Sequence, residues 1–259
     1  MAVRSRGGCC SVLGTTFFAG SLSEAADLVI DRALSGEGGY ATLTGVHGVT
    51  LANDDNLVRT ALDGAWMNFP DGAPVAWYQR RLGMAGAERV GGPDLMPLVI
   101  DRGRRVDLRH FLFGSTPEVL ELLQRQIGRL YPGALVVGSH SPPFRPLEED
   151  EEREIASQIL ATDPHIVWVG LGAPKQDTWC HANAHRVSPA LCVGVGAAFD
   201  FLAGTKRRAP RWMQRSGLEW SHRLASEPRK LAPRYLRANT RFALLTARSL
   251  RGARRARGR

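Results

Sequence analysis

Short apolar runs alternate along this chain with longer amphipathic segments, and this alternation restricts the fold more than any other feature. The apolar runs have the length of buried strands, and the longer segments repeat apolar residues at helical spacing. The predicted strands are 40–44, 66–69, 110–113, 134–137, 165–169 and 191–195. The predicted helices are 22–35, 48–62, 74–82, 94–102, 117–130, 148–161 and 176–186. Strands separated by helices are typical of βαβ crossovers, so the sequence predicts an α/β fold with a mainly parallel sheet.

The composition excludes several other classes of protein. Hydrophobic residues make up 44% and charged residues 23% of the 259 positions, which is a globular balance rather than a disordered or fibrous one. No stretch reaches the roughly 18 consecutive apolar residues of a membrane-spanning helix. The four cysteines lack zinc-site spacing, and polar residues interrupt the N-terminal segment, which argues against a signal peptide. We therefore expect a cytoplasmic protein with reduced thiols.

The charge is divided unevenly between two parts of the chain. Residues 206–259 carry 17 Lys and Arg but only Glu219 and Glu227 as acids, a net charge of +15, whereas residues 1–205 have a net charge of −6. On a helical wheel, six arginines of the tail fall within an arc of roughly 100°. These are Arg234, Arg237, Arg241, Arg248, Arg251 and Arg255, with Leu231, Tyr235, Phe242, Leu245, Ala243 and Leu250 mostly opposite. Such a helix suits an anionic membrane surface, and nucleic acid is the rival partner.

Glycine-containing turns follow three of the predicted strands, at 113–115, 170–176 and 194–200. In a parallel sheet, ligands bind beyond the carboxyl ends of the strands, where glycines and helix N-termini favour phosphate. A ligand that carries a pyrophosphate fits this pattern. The alternative is close strand–turn–helix packing, because no turn has the complete Gly-x-Gly-x-x-Gly or Walker pattern.

Several polar residues at predicted strand ends are candidates for catalysis or binding. Asp71, in Pro70-Asp71-Gly72, has the position of a general base, although an Asp there can also stabilise only its own turn. Thr44 and His47 follow another strand. Arg89 could bind a phosphate or pair with Glu88. His181 and His185 have metal-ligand spacing but lack a third ligand, so we predict no metal site.

Taken together, these motifs resemble the WecG/TagA/CpsF family of bacterial glycosyltransferases. The resemblance covers about residues 10–240. The matching segments are Thr44–His47, Pro70–Gly72, Glu88–Leu95, Gly170–Asp177, Gly194–Gly204, Arg208–Pro210, Gly217–Trp220, Arg223 and Glu227–Arg229. Several motifs in the same order make the resemblance specific, far beyond any single Gly pair.

The resemblance implies an inverting transfer of a sugar from a UDP-sugar to a polyprenyl-diphosphate-linked acceptor, without an essential metal or a cofactor. It also implies a Rossmann-like half in residues 1–205. An appendage, 206–259, would complete the site and dock peripherally on the inner face of the cell membrane. By the same resemblance, Asp71 is the general base and Thr44 lies near the sugar. The remaining matched positions line the donor site or begin the appendage: Arg89, Gln176, Asp200, Glu219 and Arg223.

One position departs from the family pattern. Where the family has Thr-x-Asn, this sequence has Thr44-Gly45-Val46, followed by His47. Three explanations are open: His47 replaces the missing Asn, the donor is a hexose other than N-acetylmannosamine, or the alignment shifts by one residue. Two further interpretations stay open, a nicotinamide-dependent oxidoreductase and a nucleic-acid-binding protein without enzymatic activity. A homo-oligomer is compatible with the resemblance.

Overall fold

The computed structural model describes residues 8–215, 219–226 and 228–257. At positions 211, 215, 223, 226, 228, 230, 231, 233–235 and 249–257 the description covers the backbone alone.

A six-stranded parallel sheet forms the centre of the molecule, which confirms the predicted α/β class. Its strands are β3 (Tyr40–Thr44), β4 (Met67–Pro70), β5 (Arg109–Gly114), β6 (Leu135–His140), β7 (Ile166–Gly170) and β8 (Leu191–Gly194), in the spatial order β4-β3-β8-β7-β5-β6. All six strands run in the same direction, so their carboxyl ends, and the turns that follow them, share one edge.

Helices cover both faces of this sheet. They are α1 (Leu22–Ser35), α2 (Val46–Leu51), α3 (Asn56–Asp63), α4 (Ala73–Arg81), α5 (Gly92–Gly103), α6 (Pro117–Leu130), α7 (Glu149–Ala161), α8 (Lys175–Asn183) and α9 (Ala198–Ala203), and a short 3₁₀ turn spans Arg104–Val106. The single helix predicted for 48–62 is therefore wrong. Asp55 interrupts it, because its side chain caps α3 by accepting hydrogen bonds from the backbone N–H groups of Leu57 and Val58.

An antiparallel hairpin, β1 (Gly8–Val12) and β2 (Thr15–Ala19), precedes the sheet and was not predicted. Both residues of its turn, Leu13 and Gly14, have positive φ angles of 52° and 85°. A two-residue hairpin turn requires this backbone, and Asn-Gly or Asp-Gly is its usual sequence signal. Leu13 gives no such signal, so the hairpin is not recognisable from the sequence.

The hydrophobic core is divided between the two faces of the sheet. On β5, Leu112 points to the face covered by α1, α5, α6 and α9, whereas Phe111 and Phe113 point to the face covered by α7 and α8. Strands that are buried on both faces have continuous apolar sequences rather than alternating ones, which explains why the short apolar runs predict them well.

The basic tail is helical and lies against the body of the protein. It contains α10 (Arg211–Arg215), α11 (Glu219–Ser226) and the long α12 (Pro228–Arg257). Ala238 and Phe242 of α12 are buried against α2 and α4, with the rings of Phe242 and Tyr78 6.2 Å apart in an edge-to-face arrangement. At Phe242, the predicted apolar side of the tail thus packs against the body of the same protein. Ala243, assigned to the same side, is exposed.

No helix among the described residues combines the length and apolarity needed to cross a membrane.

The packing of α12 yields a first prediction. Phe242 is 5% exposed, so Phe242→Ala should weaken the docking of α12 by about 3 kcal/mol. Hydrogen exchange of the α12 amides should become faster. Leu244, on the same helix and 57% exposed, provides the control, because Leu244→Ala should change stability by less than about 0.5 kcal/mol. Equal exchange in the two variants would contradict the observed packing.

Candidate active site

A cavity of about 240 Å³ lies at the carboxyl ends of β4, β3, β8 and β7. Five of the predicted site residues contribute to its wall: Thr44, His47, Asp71, Arg89 and Glu219. They come from four separate segments of the chain, and the parallel sheet brings the first three together because β3 and β4 end side by side. Val46 and His47, at the position where the family pattern departs, both line the cavity.

Asp71 is held in place by the backbone of the neighbouring strand. Its N–H donates to the carbonyl oxygen of Thr44 at 3.1 Å, and the N–H of Val90 donates to Pro70 at 2.9 Å. Gly45 passes so close to this turn that a Cβ there would collide with the carbonyl oxygen of Asp71. The turn is therefore fixed from two sides at the wall of the cavity.

Arg89 contacts three carboxylates at once. Its guanidinium nitrogens lie 3.0 Å from Asp94, 3.4 Å from Asp71 and 3.1 Å from Glu219. Burial alone would lower the pKa of Arg89, but the charges of Asp71, Glu219 and Asp94 raise it above the ordinary value. Glu88, the alternative partner, instead accepts a hydrogen bond from the N–H of Leu22. Arg89 is thus placed to orient Asp71.

Arg208 completes this charge cluster, although sequence reasoning did not select it as a site residue. Its guanidinium donates to both carboxylate oxygens of Asp94, at 2.6 and 2.7 Å, and its Nε donates to Glu219 at 3.0 Å. Burial would lower the pKa of Arg208, but these hydrogen bonds and charges raise it. Among the described residues, the cluster combines two arginines with three carboxylates, which gives these five side chains a net charge of −1. It links the cavity to α11 through Glu219.

A buried chain of hydrogen bonds fixes the orientation of the Thr44 hydroxyl. The amide nitrogen of Asn68 donates to the carbonyls of Thr16 and Leu62, so its oxygen accepts the hydroxyl proton of Thr42 at 2.7 Å. Thr42 has only one such proton. The hydrogen bond of 2.9 Å between Thr42 and Thr44 must therefore use the proton of Thr44, so Thr44 offers only acceptor lone pairs to the cavity.

Gln176 and Asp200 do not belong to the cavity wall. Gln176 is buried, its side-chain oxygen accepts from the N–H of Gly172 at 3.2 Å, and a Cβ at Gly194 would lie 3.1 Å from its amide. It therefore connects the turns after β7 and β8, and Gly194 serves close packing there. Asp200 pairs with Lys206 at 3.6 Å and accepts from the Thr205 hydroxyl at 3.4 Å.

Comparison with known proteins shows the family of the chain. A profile described as "Glycosyl transferase WecG/TagA/CpsF family" matches residues 10–256. The chain belongs to this family. A similar relative is the N-acetylglucosaminyldiphosphoundecaprenol N-acetyl-beta-D-mannosaminyltransferase of Bacillus spizizenii (strain ATCC 23059 / NRRL B-14472 / W23), which is 31% identical over 170 residues. The aligned part covers 66% of this chain and 64% of the relative, so slightly less than two thirds of the relative is matched.

Asp177 is a member of the cavity wall that sequence reasoning missed. It is the third residue of α8 and lines the cavity, yet it is only 2% exposed, and its Oδ1 is buried without a hydrogen-bond partner among the described residues. Burial raises the pKa of this carboxyl to about 7, against a smaller lowering by Gln176. The sequence motif around Gln176 predicts a site at this turn, but it does not indicate which residue of the turn lines the cavity.

Arg223, the remaining predicted site residue, and four further residues named in the sequence analysis are not among the described residues that line the cavity. The side chains of Arg223 and Arg234 lie outside the described residues, whereas Arg229 is exposed. His181 and His185 are both exposed, and Nδ1 of His181 is 3.1 Å from the hydroxyl of Tyr40. Within the part of the chain that the structure describes, no three His, Cys, Asp or Glu residues form a group that could hold a metal ion.

The buried carboxyl of Asp177 predicts a specific dependence of stability on pH. Its pKa is about 7 in the folded state and 3.8 ordinarily, so between these values the folded state binds more protons than the unfolded state. The stability of the wild type should therefore fall as pH rises from about 4 to about 7. Relative to Asp177→Asn, the free energy of unfolding should decrease by up to about 4 kcal/mol over this range.

Urea denaturation of both proteins at several pH values measures this difference. Asp163→Asn is the control, because Asp163 is 82% exposed and has a backbone conformation that Asn adopts well. The difference between wild type and Asp163→Asn should be nearly independent of pH over this range. If the difference in free energy of unfolding between wild type and Asp177→Asn is equally independent of pH, Asp177 is not desolvated.

Proposed function

We propose that this protein is an inverting glycosyltransferase that transfers a sugar from a UDP-sugar to a polyprenyl-diphosphate-linked acceptor in cell-surface polysaccharide or teichoic acid synthesis. The observation that carries the proposal is the position of Asp71, on the wall of a cavity at the carboxyl ends of the parallel strands and 3.4 Å from Arg89. Family membership and the acceptor and sugar in the relative's name support it. The sugar is of the N-acetylmannosamine type or another hexose.

In this reaction Asp71 acts as the general base. The acceptor hydroxyl oxygen forms a bond to C1 of the donor sugar on the face opposite the diphosphate, and the bond from C1 to the diphosphate oxygen breaks. Asp71 takes the hydroxyl proton, and UDP leaves with the bonding electron pair. Arg89 fixes the direction of the Asp71 carboxylate, because its guanidinium is also anchored by Asp94 and Glu219.

The other predicted residues take supporting roles in this proposal. Thr44 and His47 line the cavity and are placed for contacts with the sugar. Gln176 acts indirectly, since it joins the two glycine-containing turns that would receive the diphosphate next to the N-terminus of α8. Asp200 follows the second of these turns, and we assign it to the nucleotide side of the donor. Arg223 would neutralise the leaving diphosphate.

Residues 206–259 form the appendage in this proposal, with a site-completing part and a membrane-docking part. Glu219 belongs to the first, because it bonds to Arg89 and Arg208. For the second, exposed arginines and leucines lie on the side of α12 that faces away from the body: Arg237, Arg248, Leu236 and Leu244. We infer peripheral binding to an anionic membrane on the cytoplasmic face. By the family resemblance, we also propose that the protein forms a homo-oligomer.

Replacement of the general base tests the proposed chemistry. Asp71→Asn keeps the shape of the side chain but cannot accept the proton, so turnover of a UDP-sugar with a synthetic polyprenyl-diphosphate acceptor should fall by about 10²–10⁴-fold. Asp63→Asn, at an exposed position on α3, should retain normal turnover. Binding of UDP, measured by a thermal shift, should be unchanged in both variants.

Unchanged turnover in Asp71→Asn would remove this residue from the mechanism. A thermal shift with NAD instead of UDP would favour the rival oxidoreductase, which the incomplete glycine pattern of the sequence disfavours.

Charge reversal on α12 tests the docking surface. Each basic residue close to an anionic surface contributes about 1 kcal/mol, so Arg237→Glu with Arg248→Glu should lower binding to phosphatidylglycerol vesicles by about 30-fold or more. Arg125 and Arg153 are exposed arginines on α6 and α7, and their double reversal is the control. Vesicle co-sedimentation in the full-length protein measures the effect. Strong, salt-dependent DNA binding without vesicle binding would favour the nucleic-acid alternative.

A further inference from the structure

Asp177 carries a feature that the proposed mechanism does not use. Asp177 lines the cavity, and its Oδ1 is shielded from water without accepting a hydrogen bond from the part of the chain that the structure describes. A buried acceptor that lacks a partner costs free energy, because it has lost its hydrogen bonds to water. A ligand in the cavity can supply the missing hydrogen bond.

The hydrogen bond that Asp177 lacks must come from a donor group on the ligand when the carboxyl is ionised. Thr44 likewise requires a donor group on the ligand, because the hydrogen bonds through Thr42 and Asn68 leave its hydroxyl with acceptor lone pairs only. Two acceptors on one cavity wall match the hydroxyl or amide hydrogens of a sugar. They do not match phosphate oxygens, which are acceptors and negatively charged.

The charges of the side chains on the cavity wall also favour a neutral sugar. Among the described lining residues, Asp71, Asp177 and Glu219 are acidic and Arg89 is the only Lys or Arg. Arg89 is already engaged by Asp71, Asp94 and Glu219, so the described side chains offer little positive charge to a second anion within the sugar part of the cavity. A carboxylate on the sugar would therefore meet like charges.

We propose that Asp177 binds the hydroxyl or amide hydrogens of the transferred sugar and restricts the donor to a neutral sugar rather than a hexuronate. This inference rests on the proposed function, because it requires that the cavity takes a UDP-sugar. It adds a specificity-determining residue to that site and narrows the class of donor.

Calorimetric binding to the full-length protein at about pH 8 tests the inference with three ligands: UDP, UDP-N-acetylmannosamine and UDP-N-acetylmannosaminuronate. The wild type should bind the neutral donor at least tenfold more tightly than the uronate. Asp177→Asn removes the charge at constant shape, so the preference should shrink by at least fivefold while the affinity for UDP stays the same. Asp163→Asn should retain the full preference.

Thr44→Val provides a second variant in case Asp177→Asn does not fold. It removes the acceptor at nearly constant volume, so it should weaken binding of the neutral donor at least fivefold and leave UDP unaffected. If the wild type binds UDP but does not discriminate against the uronate, or if Asp177→Asn leaves the ratio unchanged, the inference is wrong and the proposed function stands. If the wild type binds none of the three, both are wrong.

Discussion

The ion-pair cluster around Arg89 and Arg208 is the interaction on which the candidate site depends. Asp71 follows β4, Asp94 lies in the first turn of α5 and Glu219 in the first turn of α11, so three separate elements carry these carboxylates. The two guanidinium groups connect them. Because the pairs are partly buried, removal of one member would leave uncompensated charge, and such losses commonly cost about 3–5 kcal/mol. The cluster thus couples the position of the base to the docking of the appendage.

The proposed reaction has two charge requirements, and different parts of the site meet them. The base needs a fixed carboxylate near the acceptor hydroxyl, and Arg89 provides the fixed point. The leaving diphosphate needs positive potential, but Arg89 and Arg208 are already engaged by carboxylates. The turns after β7 and β8, with the N-terminus of α8, are the alternative source of hydrogen-bond donors. Gln176 joins these turns, so its structural role accounts for its place in the family motif without contact with the sugar.

The parts that the sequence predicts well are those set by local pattern. The inner strands of the sheet are recognisable because strands buried on both faces have continuous apolar runs, and Asp71 and Thr44 are recognisable because they follow short apolar runs. The orientation of the Thr44 hydroxyl is not recognisable from the sequence, since it depends on Asn68, which is 26 positions from Thr42. Asp177 was missed because neighbouring residues of a helix point about 100° apart, and the motif does not tell which of Gln176 and Asp177 meets the cavity.

The same distinction applies to the tail, where charge periodicity predicts an amphipathic helix but not what covers each side. Phe242 and Ala238 face α2 and α4, so this apolar side of α12 is buried against the body of the protein. The outward side combines Leu236 and Leu244, 73% and 57% exposed, with Arg237 and Arg248. Two leucines bury little apolar area in a bilayer, whereas each arginine contributes through the negative surface potential. Membrane binding by the described part of this helix should therefore depend on the anionic lipid content and on salt more than on insertion depth.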